Sequence, residues 1–157
     1  MFLNRPFYKI LQIKTNLNCN LKCKNCSFHG QYINELNEYN LELLENDCSI
    51  ISNCGYFEDI QIVGGEPLLN KSVCDKVFDY CAENYYNVSV ITNGLLIDQY
   101  IDKLKILSDK NLLNVQISYD GIEIHDKNRC NTSSQVLNAI DLLRKNNIKS
   151  LLLKATI

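Results

Sequence analysis

The chain has little of what would send it into a membrane, out of the cell or onto a polyanion. Sixteen lysines and arginines against eighteen aspartates and glutamates leave a net charge of −2. No global positive field draws nucleic acid or anionic lipid, and neither is an expected partner. No uncharged apolar run reaches the length that spans a bilayer. The opening "MFLNRPFYKILQIKTN" lacks the small-residue cleavage site of a secretory signal. A cytoplasmic protein with no membrane partner is the expectation. Prolines number two and glycines six, and no Pro/Gly/Ser linker, internal repeat or low-complexity tract divides the sequence. With 157 residues, 46% of them apolar, the chain reads as one domain over 1–157 with enough apolar side chains for a core.

Cysteine is the exception to this scarcity. Eight cysteines suit a disulfide scaffold in a small secreted domain, but in a reducing compartment clustered thiols bind metal or do redox chemistry. Three of them, Cys19, Cys23 and Cys26, fall within "CNLKCKNC". A structural zinc site wants four ligands, usually as two separated pairs, and the sequence shows no second pair. A cubane [4Fe-4S] cluster has four irons, each usually capped by a thiolate. Three cysteines leave one iron open to a substrate or cofactor.

Short apolar runs alternate with amphipathic ones. "FYKILQIKT" (7–15), "DIQIVGG" (59–65), "NVSVITNG" (87–94), "NVQISYDG" (114–121) and "KSLLLKATI" (149–157) predict strands. Between them, four helical faces recur at spacings of three or four: Leu41, Leu44, Cys48, Ile51; Val73, Val77, Cys81; Ile97, Ile101, Leu104; and Val136, Ile140, Leu143. Alternating strands and helices predict an α/β fold with a parallel sheet of about five strands and four main helices, either open or curled into part of a (β/α) barrel. The three clustered thiols follow the first strand and so belong to the C-terminal end of the sheet, where such folds keep their sites. The last strand predicts a bare edge, and with it a core that is incomplete at its C-terminal end.

Taken together, these residues resemble a known family. CxxxCxxC after the first strand of a βα repeat resembles the signature of the radical S-adenosylmethionine (SAM) enzymes. "GGEP" (Gly64, Gly65, Glu66, Pro67), "TNG" (Thr92 to Gly94), "SYDG" (Ser118 to Gly121) and "HDKNR" (His125 to Arg129) follow in the family's order. SxDG followed closely by HDxxR is similar to the peptide- and protein-modifying maturases of the SPASM type. The resemblance spans nearly the whole chain and implies a truncated form of the family's partial barrel. It implies a [4Fe-4S] cluster on Cys19, Cys23 and Cys26, and SAM bound along the neighbouring strand tips. Gly64 and Gly65 would hold the amino group of the methionine moiety with Glu66 near it and Pro67 starting the chain's exit. Ser118 and Asp120 would contact the ribose, Thr92 and Asn93 would reach the same region, and Arg129 would pair with the methionine carboxylate.

Each motif also has a plainer reading. The glycine pair suits an ordinary turn, although a missing Cβ also lets a ligand approach the backbone closely. "TNG" suits a turn with Asn93 in the left-handed region, and Arg129 a solvated arginine. His29 and His125 read as surface or locally bonded, Cys48, Cys74 and Cys81 as buried small hydrophobes, Cys54 as a helix end and Cys130 as a loop residue. Two residues depart from the family pattern: Asn25 stands where an aromatic is common before the third cysteine, and Cys130 where a glycine often follows the arginine. Five strands also fall short of the family's usual six.

What the resemblance implies chemically is reductive cleavage of SAM to methionine and a 5′-deoxyadenosyl radical, which takes hydrogen from an unreactive C–H bond. An electron donor such as flavodoxin or ferredoxin and a peptide or protein substrate are the implied partners. The competing expectation is a catalytically inactive remnant that binds a cluster or zinc, or a partial subunit completed by another chain.

Overall fold

The computed structural model describes residues 7–26, 41–54 and 56–156. His29 and the side chains of Cys48 and Cys54 lie outside the described residues. Five strands form one parallel sheet: β1 (Phe7–Asn16), β2 (Tyr56–Gly64), β3 (Asn87–Thr92), β4 (Leu113–Ser118) and β5 (Leu151–Lys154). Their spatial order is their chain order. A doubly wound sheet reverses order at a switch point, whereas a sheet that never reverses is the arrangement of a (β/α) barrel.

Helices α1 (Leu41–Cys54), α2 (Lys71–Asn84), α3 (Ile101–Asp109) and α5 (Ser133–Lys145) coincide with the four predicted faces. A fifth, α4 (Ile122–Asn128), carries most of the "HDKNR" stretch, and 3-10 turns at Pro67–Leu69 and Ile97–Tyr100 lead into α2 and α3. The strands end earlier than their apolar patterns suggest. β3 stops at Thr92 and β4 at Ser118, which leaves "NG" and "YDG" as loops at the sheet's C-terminal end.

Period-two alternation assigns the faces. Ile60 and Ile62 of β2, Val88 and Val90 of β3, and Val115 and Ile117 of β4 are buried in one core with Val73, Val77 and Phe78 of α2, Leu104 and Leu107 of α3, and Val136, Ile140 and Leu143 of α5. Burial of each such side chain contributes roughly 1.5–3 kcal/mol. Tyr100 closes this layer, its ring edge-on to Phe78 and its hydroxyl donating to the Leu68 carbonyl at 2.6 Å. Cys74 and Cys81 are buried in it as expected, and Cys74 also donates its thiol hydrogen to the Pro67 carbonyl at 3.1 Å. Burial pushes that thiol up to about 12.

The opposite face of the sheet carries cross-strand polar pairs alongside Val63 and Ile91. Gln12 donates to Gln61 at 2.6 Å, Ser89 to Asp59 at 2.8 Å, and Ser150 to Asn114 at 2.7 Å. On the far side of β5 no strand pairs among the described residues, and Leu152 and Leu153 are exposed there. No described helix is long and apolar enough to cross a membrane.

Candidate functional site

At the end of β1 the pairing register slips between Lys14 and Asn16, bringing Asn16 opposite Gly64. The chain then turns across the tip of β2. Gly65 donates its amide to the Asn16 carbonyl at 3.2 Å and Glu66 donates to the Asn18 carbonyl at 2.7 Å. A Cβ on Gly64 would lie 2.3 Å from the Asn16 oxygen, and one on Gly65 would lie 2.3 Å from that of Asn18 and 2.6 Å from that of Leu17. The glycine pair is therefore required first by the chain itself. Its missing side chains let the segment that carries the cysteines lie flat on the strand tip.

The same loop is held from the other side by the end of α4 and the residues that follow it. Lys24 donates its amide to the Asn128 carbonyl at 2.9 Å, and Lys22 donates to the Cys130 sulfur at 3.3 Å. Cys130 is exposed and left-handed at φ 61°, a backbone state that suits the glycine it replaces. Between these anchors Cys19, Cys23 and Cys26 are free thiols of intermediate exposure. Burial pushes the Cys19 and Cys23 thiols up from their ordinary value, in Cys23 against the charge of Arg129.

Glu66 is fully buried beneath this loop. One carboxylate oxygen accepts from the Leu68 amide at 3.2 Å and the Thr92 hydroxyl at 2.7 Å, and the other accepts from the Asn93 amide at 2.7 Å. Burial raises its carboxyl above the ordinary value, while these three donors favour the charged form. The resemblance expects Glu66 near an amino group; in the structure its carboxylate is held by these three internal donors. Neither Glu66 nor Pro67 lines the cavity, and Pro67 opens the 3-10 turn that Glu66 caps. Of the "TNG" residues, the left-handed backbone falls on Gly94 at φ 88° and not on Asn93.

Asp120 and Arg129 are bound to one another. Arg129 Nε donates to Oδ2 at 2.5 Å and its Nη2 donates to Oδ1 at 3.3 Å, while the Thr156 amide donates to the same Oδ1 at 2.8 Å. Burial alone would raise the Asp120 carboxyl, yet the Arg129 hydrogen bonds and charge and the Thr156 amide hold it below the usual range. The pairing engages both groups that the sequence assigns to ribose and carboxylate, and makes the Arg129 fork part of the cavity wall. His125 is buried, not superficial, and stacks at a tilt on Tyr119.

Ten of the twelve predicted residues line one cavity of about 370 Å³: Cys19, Cys23, Cys26, Gly64, Gly65, Thr92, Asn93, Ser118, Asp120 and Arg129. The missed lining residues include Val63, Ile91, Gln116, Lys154 and Thr156. Val63, Ile91 and Gln116 each stand two residues before a predicted site position, so period-two counting back from Gly65, Asn93 and Ser118 would have found them.

Three free thiols lining one cavity fit an iron–sulfur cube that keeps one iron uncapped, since each thiolate caps a separate iron. The glycine shelf, the Asp120–Arg129 pair and Ser118 surround the space in front of the thiols.

The chain is similar to known proteins in sequence and in fold. The chain is 34% identical over 152 residues to the uncharacterized protein MJ0907 of Methanocaldococcus jannaschii, matching 89% of this chain and 50% of that one. It is 33% identical over 110 residues to a probable GTP 3′,8-cyclase of the same organism, 70% of this chain and 36% of the relative. Among solved structures, hexahistidine-tagged anSMEcpe with bound AdoMet superposes with a TM-score of 0.73 at 30% identity, covering 94% of this chain and 43% of that one. SuiB of Streptococcus suis bound to precursor peptide SuiA shares the fold at a TM-score of 0.65 and 16% identity, over 95% of this chain and 39% of SuiB. The chain thus spans about half, or less, of the length of these relatives. The family model of the Radical SAM superfamily matches residues 13–157, a span that takes in every site residue described above, and the protein belongs to that superfamily, whose cofactors are a [4Fe-4S] cluster and SAM.

Proposed function

We propose that residues 1–157 form a radical SAM core in which Cys19, Cys23 and Cys26 hold a [4Fe-4S] cluster and the cavity in front of them receives SAM, in the service of modifying a peptide or protein. The observation that carries this reading is the convergence of three half-buried thiols, the Gly64–Gly65 shelf and the tips of β3 and β4 on one cavity. When bound, the cluster and SAM supply reductive cleavage of the sulfonium to a 5′-deoxyadenosyl radical.

The chain's own residues bind, orient and shield. The thiols fix the cluster at the C-terminal end of the sheet. The glycine shelf lets the thiol loop approach β2 and leaves main-chain groups at the cavity wall. Ser118 offers a hydroxyl at the tip of β4, and Val63 and Ile91 present apolar surface that limits water. Asp120 and Arg129 hold each other in place and fix the cavity wall that adjoins Cys23.

A peptide or protein substrate is supported by the SxDG and HDxxR pair, and by the fold shared with SuiB, which was solved with its precursor peptide. A flavodoxin or ferredoxin would supply the electron. Anaerobic reconstitution with iron and sulfide, followed by reduction in the presence of SAM, tests the reading. About four irons per chain and release of 5′-deoxyadenosine are expected. A chain that binds zinc but assembles no iron–sulfur chromophore would overturn it.

A further inference from the structure

Asn93 ends the β3 tip, is 9% exposed, and has its main-chain amide and both ends of its carboxamide committed. The amide donates to Glu66 Oε2 at 2.7 Å, and the side-chain oxygen accepts from the Leu95 amide at 3.0 Å. That second bond fixes which end of the carboxamide is which, because only the oxygen can accept an N–H. The Nδ2 end must then face the cysteine loop, where it donates to Asn20 Oδ1 at 2.7 Å and to the sulfur of Cys19 at 3.8 Å. Cys19 Sγ also accepts from the Leu21 amide at 3.4 Å. Cys19 thus receives a side-chain N–H from the tip of β3, while Cys23 is hydrogen-bonded by the Arg129 guanidinium.

Hydrogen bonds to a ligating sulfur stabilise the more negatively charged, reduced state of an iron–sulfur cluster and raise its potential. We infer that Asn93 is a positioning residue for the Cys19 sulfur, and that its Nδ2–H raises the reduction potential of the cluster the chain holds. This rests on the reading that the three thiols carry a [4Fe-4S] cluster. It adds to that reading a role distinct from contact with the nucleoside. It also explains why a buried carboxylate, Glu66, is spent on fixing the main chain of Asn93. The sulfur bond is long, and a small rotation of the β3 tip would lose it.

The test is an EPR-monitored redox titration of the reconstituted full chain, wild type against Asn93→Ala and Asn93→Asp, without SAM or substrate. Asn93→Ala deletes the donor. Asn93→Asp keeps the shape and the Leu95 acceptor but sets a negative charge beside the sulfur. At a fixed poise the reduced-to-oxidised ratio should fall about tenfold in the alanine variant, which is ~59 mV for a one-electron couple, and further in the aspartate variant. A merely structural role would change melting temperature and cluster yield without ordering the potentials in this way. Clusters that assemble in both variants at the wild-type potential overturn the inference. Loss of the cluster in both variants with native melting also overturns it, since Asn93 would then be needed for holding and not for tuning. A wild-type chain that takes up no cluster overturns the underlying reading, and this inference with it.

Discussion

The Glu66 carboxylate accepts the main-chain amide of Asn93 at 2.7 Å, tying the tip of β2 to that of β3 through a fully buried acid. Because the other oxygen is taken by Leu68 N–H and the Thr92 hydroxyl, the acid's place in the "GGEP" motif is to organise the cavity from behind.

Glu66→Gln should expose that role. An amide has one acceptor oxygen, so its NH₂ group would face either the Asn93 N–H or the Leu68 and Thr92 donors. The Thr92 hydroxyl could turn to accept from that NH₂, but the Leu68 and Asn93 main-chain N–H groups can only donate, so one of them loses its acceptor in either orientation. A buried donor left unpaired costs about 1–3 kcal/mol. Urea unfolding should show a loss of that size, although the variant removes a buried charge that burial by itself disfavours. A variant as stable as wild type would contradict the assignment.

Gly65→Ala addresses the shelf. The added methyl would meet two backbone oxygens, those of Asn18 at 2.3 Å and Leu17 at 2.6 Å, and main chain cannot swing aside as a flexible side chain can. The segment carrying the thiols must lift from β2, at about 1–3 kcal/mol for forced overpacking. Far-UV circular dichroism should remain that of a folded α/β chain while iron bound per chain falls. Full iron occupancy in this variant would show that the close approach is dispensable.

His125 makes stability pH-dependent. The Thr132 hydroxyl donates to the Arg129 carbonyl at 2.7 Å, so it accepts from Nε2–H at 3.1 Å, and Nδ1 must accept the Asp120 amide at 3.4 Å. A second ring proton would face that N–H. Burial and the Arg129 charge accordingly lower the imidazole below its ordinary value of 6.5. The neutral ring's contribution is fully present above pH 6.5 and is lost as pH falls toward the lowered folded value. One such group changes stability by at most about 1.4 kcal/mol per pH unit. Urea titrations from pH 7.5 to pH 5 should therefore show a decline that is flatter in His125→Phe, whatever that variant's absolute stability.

What could be read from the residues was whatever local periodicity encodes. β2, β3 and β4 carry Ile or Val at alternate positions, and α5 repeats its apolar residues from Val136 to Leu143. The thiol spacing and the tip residues were equally local. What escaped was long-range pairing. Thr92 meets Glu66 across 26 positions and Asn93 meets Cys19 across 74, separations that no window reveals. α4 also escaped, because seven residues give too few turns to show a period, and its Ile122 and Ile124 are exposed. The glycine pair was legible as a point of close approach, but that the chain itself approaches there, at Asn16 to Asn18, was not.

The cysteines separate by position, and substitution should separate them by function. Cys19, Cys23 and Cys26 line the cavity, whereas Cys130 is not among its lining residues and meets the loop by accepting the Lys22 amide. Serine can accept the same N–H, so Cys130→Ser should retain the loop's anchor and nearly all of the cluster. Alanine at any of the three lining positions removes the thiolate from one iron and should abolish or sharply reduce the chromophore, at little cost in apo-chain stability because these side chains are only half-buried. Iron and sulfide assays with visible spectra on anoxically reconstituted variants check both halves. If Cys130→Ser lost the cluster as completely as Cys23→Ala, the outer thiol would have to belong to the ligand set, and the three-thiol arrangement with one open iron would fail.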